Sequence, residues 1–427
     1  MTRVGLRVER VLWIACPLLM FVVMYAHMTA IENILLGLVG VGVIAAACSE
    51  TQPSVSRWPL IVPILLWGAW SLASVAWSPF PAESMHAWLD EVAYPLVTFI
   101  AFWLVGIQSE RPERLVLISW VACVLLAVTS IVHWGQLQPP TADTFLLHYY
   151  NRVGHTSTLV VFAMSLFTGL TMQGRWRIIG VTGLLLCFFV GLATLNRFFW
   201  PAAGLAILVA LFPMYRKHLF LATIVVVLTG VAAVGTLEYS ARMRNVRPVP
   251  ASEEVVSLGQ EKVQLPEFLG GIVASVSADT RPRMWHFYLK AGETHFWTGV
   301  GFGKPLPGRV YKSDIPTQFL SREPQALTHA HNLFLNTWLE SGLIGVVLEM
   351  SLLIALVVRF CRLRHATPYI CAAGVALVVG MLAKNSTDDF MWQTTALAFW
   401  SFAGLLLGRG ERLFASRRED IASSSGS

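Results

Sequence analysis

The side chains in this sequence that could do chemistry are few. Most of them sit at the edges of apolar runs: Arg152, His155, Arg197, Arg281, Arg283, His329, His331 and the pair Asp388–Asp389. A histidine titrates near neutral pH and can take a proton from a hydroxyl in a transition state. Arginines carry permanent charge on a planar fork that suits phosphate oxygens. A histidine among several arginines therefore suits a hydroxyl nucleophile attacking a carbon whose leaving group is phosphorylated. Blander roles compete with this reading. A histidine at a helix start is most often a solvated interfacial residue, and Arg197 can snorkel from a hairpin tip. Arg281 and Arg283 can anchor an interfacial helix to lipid headgroups, and Asp388 and Asp389 can cap the last helix. His329 lacks a His-Glu-x-x-His context and no second ligand set accompanies it, which argues against zinc. Gly299-Val-Gly-Phe-Gly303 follows no strand, so it is expected to be a turn and not a dinucleotide-binding loop.

The stretch from Thr328 to Val346 begins with both histidines and runs straight into an apolar segment. Read as one helix at about 100° per residue, Gly342 and Gly345 fall on the face that carries His331. Small residues on one face let a neighbouring helix dock closely in a membrane. The pattern predicts an imidazole at the mouth of a tightly docked helix.

What positions these residues follows from composition. The chain has 427 residues, of which 55% are hydrophobic and 13% charged, with a mean hydropathy of +0.61. That is too little charge to cover a soluble protein of this size. Apolar runs recur at about 11–26, 31–48, 58–77, 92–107, 114–134, 155–172, 178–195, 198–214, 219–237, 332–358, 368–384 and 392–408, which predicts an all-α polytopic membrane protein with about twelve transmembrane helices. The continuous run 178–213 is too long for one crossing, so Asn196-Arg197 must be a hairpin tip. Seventeen of the 31 Lys and Arg residues fall on the side of the N-terminus and three in short connections opposite. The rest lie in the one long connection, which translocates largely regardless of charge. Both termini are thus expected in the cytoplasm, with no cleaved signal peptide. The net charge of +6 records this bias and is no argument for nucleic acid. Five of the six cysteines lie in these apolar runs and Cys361 just past the end of one, so no disulfide framework is expected. The expected organisation is helices over 1–237, a loop region over 238–331 with an amphipathic interfacial helix from Arg281 to His295, further helices over 332–408, and a tail without regular structure over 409–427.

His331-Asn332, nine residues, and then Gly342-x-x-Gly345 resemble the signature of the O-antigen ligases, in the membrane superfamily that also holds the O-antigen polymerases and the bacterial protein O-oligosaccharyltransferases. The number of spans, the cytoplasmic termini and the single large loop before the motif extend the resemblance to essentially the whole chain. The family's arginine at the tip of an earlier span corresponds to Arg197, although relatives often have Ser where Asn196 stands. Its loop arginine, which precedes a tryptophan, corresponds to Arg281, four residues before Trp285, with Arg283 as the fallback. Asp389 corresponds to an acidic residue near the last span.

The resemblance implies a GT-C-like glycosyltransferase of the bacterial inner membrane, with a large periplasmic loop and its active site on the periplasmic side. Such an enzyme moves a polysaccharide from undecaprenyl diphosphate to a sugar hydroxyl of lipid A-core oligosaccharide, with inversion and without a metal or other cofactor. His331 would be the general base, Arg197 and Arg281 (or Arg283) would neutralise the diphosphate, and Asn332, Asp389 and His329 would support them. Partners would be the lipid-linked donor, the lipid A-core acceptor and membrane lipids. A polymerase or protein transferase of the same superfamily is the nearest rival. A transporter is another, but it should show midspan charge and broken helices. Only Glu340 and Glu349 stand out as charges within the motif helix.

Overall fold

The computed structural model describes residues 3–26, 28–108, 113–133, 153–194, 196, 198–215, 281–315 and 329–425, with short helical pieces between 219 and 235. The described residues are helical or irregular, with no strand among them. The helices are α1 (Arg3–Phe21), α2 (Thr29–Ala47), α3 (Ile61–Ser74), α4 (Pro81–Trp88), α5 (Tyr94–Gln108), α6 (Glu113–His133), α7 (Val153–Thr171), α8 (Arg177–Ala193) and α9 (Phe199–Ala210). After the long connection come α10 (Arg281–Gly292), α11 (Pro305–Val310), α12 (Leu333–Arg362), α13 (Pro368–Asn385) and α14 (Gln393–Ser425). Six helical segments among the described residues are long and apolar enough to cross a membrane. The chain is an all-α membrane protein.

The run 178–213 breaks between α8 and α9, where Asn196 Oδ1 accepts the Phe198 amide at 3.0 Å. A short polar side chain turns the chain by satisfying backbone locally. The fourth run starts earlier than its apolar residues suggest, because α4 joins α5 through a π-turn over Leu89–Ala93. This carries Glu91 into the protein.

The tail is the clearest departure from expectation. Instead of losing structure at 409, α14 continues as one helix to Ser425. The polar residues there are anchored: Trp103 Nε1 donates to Glu411 Oε2 at 2.8 Å, and Arg417 donates to the carbonyls of His365 and Ala366. Packing against neighbours extends a helix beyond what its apolar pattern alone predicts.

The closest helix docking also lies elsewhere than expected. A Cβ added at Gly404 would sit 2.3 Å from the Phe99 carbonyl oxygen, and one at Gly408 2.3 Å from that of Trp103. Small residues four apart bring α14 backbone-to-backbone against α5.

Gly342 has a different task. It interrupts α12 with φ 70° and ψ −175°, a conformation that only glycine adopts cheaply. The break lets the Phe296–Gly303 turn dock into the helix. Val300 N donates to Leu339 O at 2.9 Å, Gly301 N to Glu340 O at 3.0 Å, and Leu343 N to Phe296 O at 2.9 Å. Trp70 Nε1 takes the Ser341 carbonyl at 2.9 Å. The carbonyls of Leu339, Glu340 and Ser341 and the amide of Leu343 thus find partners at the break, as burial requires. Gly299, at φ 66°, lies so close that a Cβ would be 2.3 Å from the Glu340 carbonyl carbon. The face shared by His331, Gly342 and Gly345 is therefore not the arrangement found. His331 precedes the helix, and Gly342 ends its helical period.

Candidate active site

The site is built where the start of α12 meets the turn between α13 and α14. Asn332 is the N-cap of α12: its Oδ1 accepts the Leu335 amide at 3.0 Å, satisfying one of the helix's free donors. Its Nδ2 donates to the Ser386 carbonyl at 2.7 Å, tying the cap to the α13–α14 turn. One helical turn on, Asn336 accepts the Ala330 amide at 2.7 Å and donates to Asp389 Oδ2 at 2.7 Å. The two asparagines hold the His329–His331 segment against the two aspartates. Trp285 Nε1 of α10 takes the Ala330 carbonyl at 2.9 Å, so α10 closes the third side. Helix α10 is the expected 281–295 helix, and it buries Met284, Tyr288 and Gly292 against α12.

His331 has φ 51°, a left-handed backbone that a histidine holds at a cost of about 1–3 kcal/mol when its surroundings over-determine it. Here the neighbours do so. His331 Nδ1 lies 2.8 Å from Asp388 Oδ1, and His329 Nε2 lies 3.4 Å from the same oxygen. Arg281 Nη2 is 3.3 Å from Asp388 Oδ2, and its guanidinium lies 4.9 Å from the centre of the Phe198 ring. Phe198 belongs to the α8–α9 turn, so that hairpin also abuts the site.

Burial alone would raise the Asp388 pKa. Hydrogen bonds from His329 and His331 outweigh it and hold the carboxyl well below its ordinary value. Burial pushes the His329 pKa down, against the opposing hydrogen bond to Asp388. A carboxylate facing Nδ1 favours the tautomer that donates from Nδ1, and in the neutral ring of that tautomer Nε2 is the acceptor. That is the protonation a general base needs.

Directly behind lies a second cluster. Lys304 Nζ is 2.5 Å from Asp389 Oδ1 and 3.9 Å from Glu91 Oε2, and Gly303 N donates to Glu340 Oε2 at 3.3 Å. Glu349 accepts from the Thr337 hydroxyl at 2.7 Å. Glu91, Lys304, Thr337, Glu340, Glu349 and Asp389 line a cavity of about 50 Å³, large enough for water. Burial opposes the Lys304 charge, but Asp389, Glu91 and Glu340 together hold its pKa above the ordinary value.

The structure brings together His331, His329, Asn332, Arg281 and Asp389 from the sequence-derived set. Arg283 is exposed and has no hydrogen bond or ion pair among the described residues. Arg197 and Arg152 lie outside the described residues. His155 is spent elsewhere, accepting from Trp392 Nε1 at 3.1 Å with its ring 5.2 Å from that of Phe390. The acid against His331 is Asp388 and not Asp389, which faces Lys304. Sequence reasoning also passed over Lys304 and Asn336. Asn336 had a usable signal, being an amide one turn after the Asn332 cap. Among the described residues, His329, His331 and Asp388 place their ligand atoms within 4.8 Å of one another, so these three could hold a divalent ion.

No curated protein matches the chain. Over residues 160–350, the stretch that contains Arg197, Arg281 and His331, the chain matches the family model described as O-antigen ligase, the family whose histidine motif its sequence resembles.

Proposed function

We propose that the protein is an O-antigen ligase, transferring a polysaccharide from undecaprenyl diphosphate to a sugar hydroxyl of lipid A-core oligosaccharide. The observation that carries this reading is the convergence on Asp388 of His331, His329 and Arg281, from segments far apart in sequence. With Nδ1 turned to Asp388, His331 Nε2 takes the proton of the acceptor hydroxyl. The hydroxyl oxygen forms the new bond to the anomeric carbon from the face opposite the diphosphate. The old carbon–oxygen bond breaks, the anomeric centre inverts, and undecaprenyl diphosphate leaves. Arg281 and Arg197 neutralise the diphosphate as its charge grows, a stabilisation greater in the transition state than in the ground state. To do so, Arg281 divides its fork between Asp388 and a phosphate oxygen. Direct displacement of this kind needs no metal.

The same reading places the enzyme in the bacterial inner membrane with twelve spans in a GT-C-like architecture and both termini in the cytoplasm. The site faces the periplasm, beside the leaflet that holds both amphiphilic substrates. The break at Gly342 is a feature of transporters too, but here the inserted turn fills it.

The test is transfer by purified protein in EDTA, offered lipid-diphosphate-linked glycan with either lipid A-core or a Ser/Thr-containing acceptor protein. Glycan on lipid A-core, lost in His331→Ala and Arg197→Ala proteins that still fold, is the expected result. Lengthened donor chains or glycosylated protein would instead assign the polymerase or protein-transferase activity. Transfer that EDTA abolishes and a divalent ion restores would overturn the metal-free mechanism.

A further inference from the structure

Lys384, in the last turn of α13, is fully buried, and its Nζ has no hydrogen-bond partner among the described residues. Three residues on, the Thr387 hydroxyl is likewise buried without one. The ammonium rests 4.6 Å from the centre of the Phe390 ring, and the charges that act on it are those of Asp388 and Arg281. A buried charge without a hydrogen-bonded partner is costly, and more so in a membrane protein. Removing such a charge in favour of an apolar side chain of similar volume tends to stabilise a protein. A cation–π contact recovers only part of the cost. Two unsatisfied donors on one turn, an ammonium and a hydroxyl, beside the arginine and aspartate of the site, want an anionic ligand with several oxygens.

We propose that Lys384 and Thr387 form a phosphate subsite that is completed when a polyprenyl diphosphate binds. This rests on the reading of the protein as a lipid-diphosphate-dependent transferase. Lysine suits the task. Its three rotatable donors sit on a flexible four-carbon stem and can swing from the Phe390 ring to a phosphate oxygen. The subsite supplies positive charge from the end of α13, within electrostatic reach of Asp388 and Arg281. The diphosphate is then gripped without displacing Asp388 from His331. Asp388 takes a second meaning here: it balances Lys384 and Arg281 while no diphosphate is bound.

The experiment titrates full-length protein in detergent with farnesyl diphosphate, a short prenyl diphosphate, by calorimetry, and measures ligand-free melting in parallel. Lys384→Met is expected to weaken binding by about tenfold or more, the worth of a charge-assisted hydrogen bond. Its melting temperature should equal or exceed that of the wild type. Thr387→Val should weaken binding several-fold, and Lys384→Arg should retain most of it. Undiminished binding in Lys384→Met and Thr387→Val, with wild type binding normally, overturns the subsite and leaves the transferase reading intact. A lowered melting temperature with intact binding makes Lys384 a packing residue only. Wild-type protein that binds no prenyl diphosphate overturns the subsite together with the reading it rests on.

Discussion

Asp388 and Asp389 are adjacent in sequence and both buried, yet they serve opposite neighbourhoods. Asp388 faces two histidines and Arg281, groups that can exchange protons and anions with a substrate. Asp389 faces Lys304 and Asn336, where ammonium, carboxylates and amide satisfy one another in the interior. One acid meets two imidazoles and a guanidinium, and the other meets an ammonium and an amide. The difference shows that burial and charge alone do not fix the role of an acid. What differs is the kind of group that each acid meets. The two networks are nonetheless joined, because Asn336 grips both Asp389 and the Ala330 amide between the histidines. The inner cluster is the foundation on which the outer one is aimed.

The largest effects should separate the two clusters by kind. His331→Ala should lower transfer by about 10²–10⁴-fold, the range of a general base, with the melting temperature almost unchanged. Asp389→Ala leaves the Lys304 ammonium buried without its nearest counter-charge. It should destabilise the fold by about 3–5 kcal/mol, read as a lowered melting temperature or poor recovery from membranes. If Asp389→Ala kept full stability and lost only transfer, the inner cluster would be part of the chemistry and the distinction would fail.

The sequence made part of this legible. The break near Asn196 followed from length alone, since no single helix accommodates the run 178–213. The histidine pair stood out because it opens a long apolar segment. Gly342 was misread because a helical wheel presumes a continuous helix. A break shows itself only with the Phe296–Gly303 turn that fills it, and that pairing is long-range. Asp388 and Asp389 could not be told apart because a two-residue step in an irregular turn carries no periodicity. Lys304 sits between Gly303 and Pro305 in an unpatterned loop, and only the fold reveals its carboxylate partners. The helical tail after residue 409 was missed because its anchors, Trp103 and the His365–Ala366 carbonyls, are also far from it in sequence.

Asp388→Asn sharpens the comparison from the other side. The amide nearly preserves shape but removes the charge that fixes the His331 tautomer. Transfer should fall by about 10–100-fold, the worth of a charge-assisted hydrogen bond. The loss should appear in kcat more than in KM, because the ring's orientation and basicity change while the donor's own contacts remain. Stability should change far less than in Asp389→Ala. Equal destabilisation by the two substitutions would mean that both acids are structural.

The smallest expected effect is the most discriminating for the arginines. Arg281 and Arg283 both lie in the first turn of α10, yet only Arg281 reaches Asp388, while Arg283 is exposed. An exposed guanidinium adds mainly screened attraction to anions nearby. Arg283→Ala should therefore alter transfer by no more than about twofold, in keeping with the small worth of exposed charges. Arg281→Ala should cost about 10–100-fold in kcat/KM for the lipid-linked donor, as expected for a lost charge-assisted contact to phosphate. It should also free Asp388 to draw more strongly on the two histidines. A loss concentrated in Arg283→Ala, measured as initial rates over a range of donor concentrations, would show that α10 turns its other face to the diphosphate. The arginine beside Asp388 would then belong with Lys304, as structural balance for a buried acid.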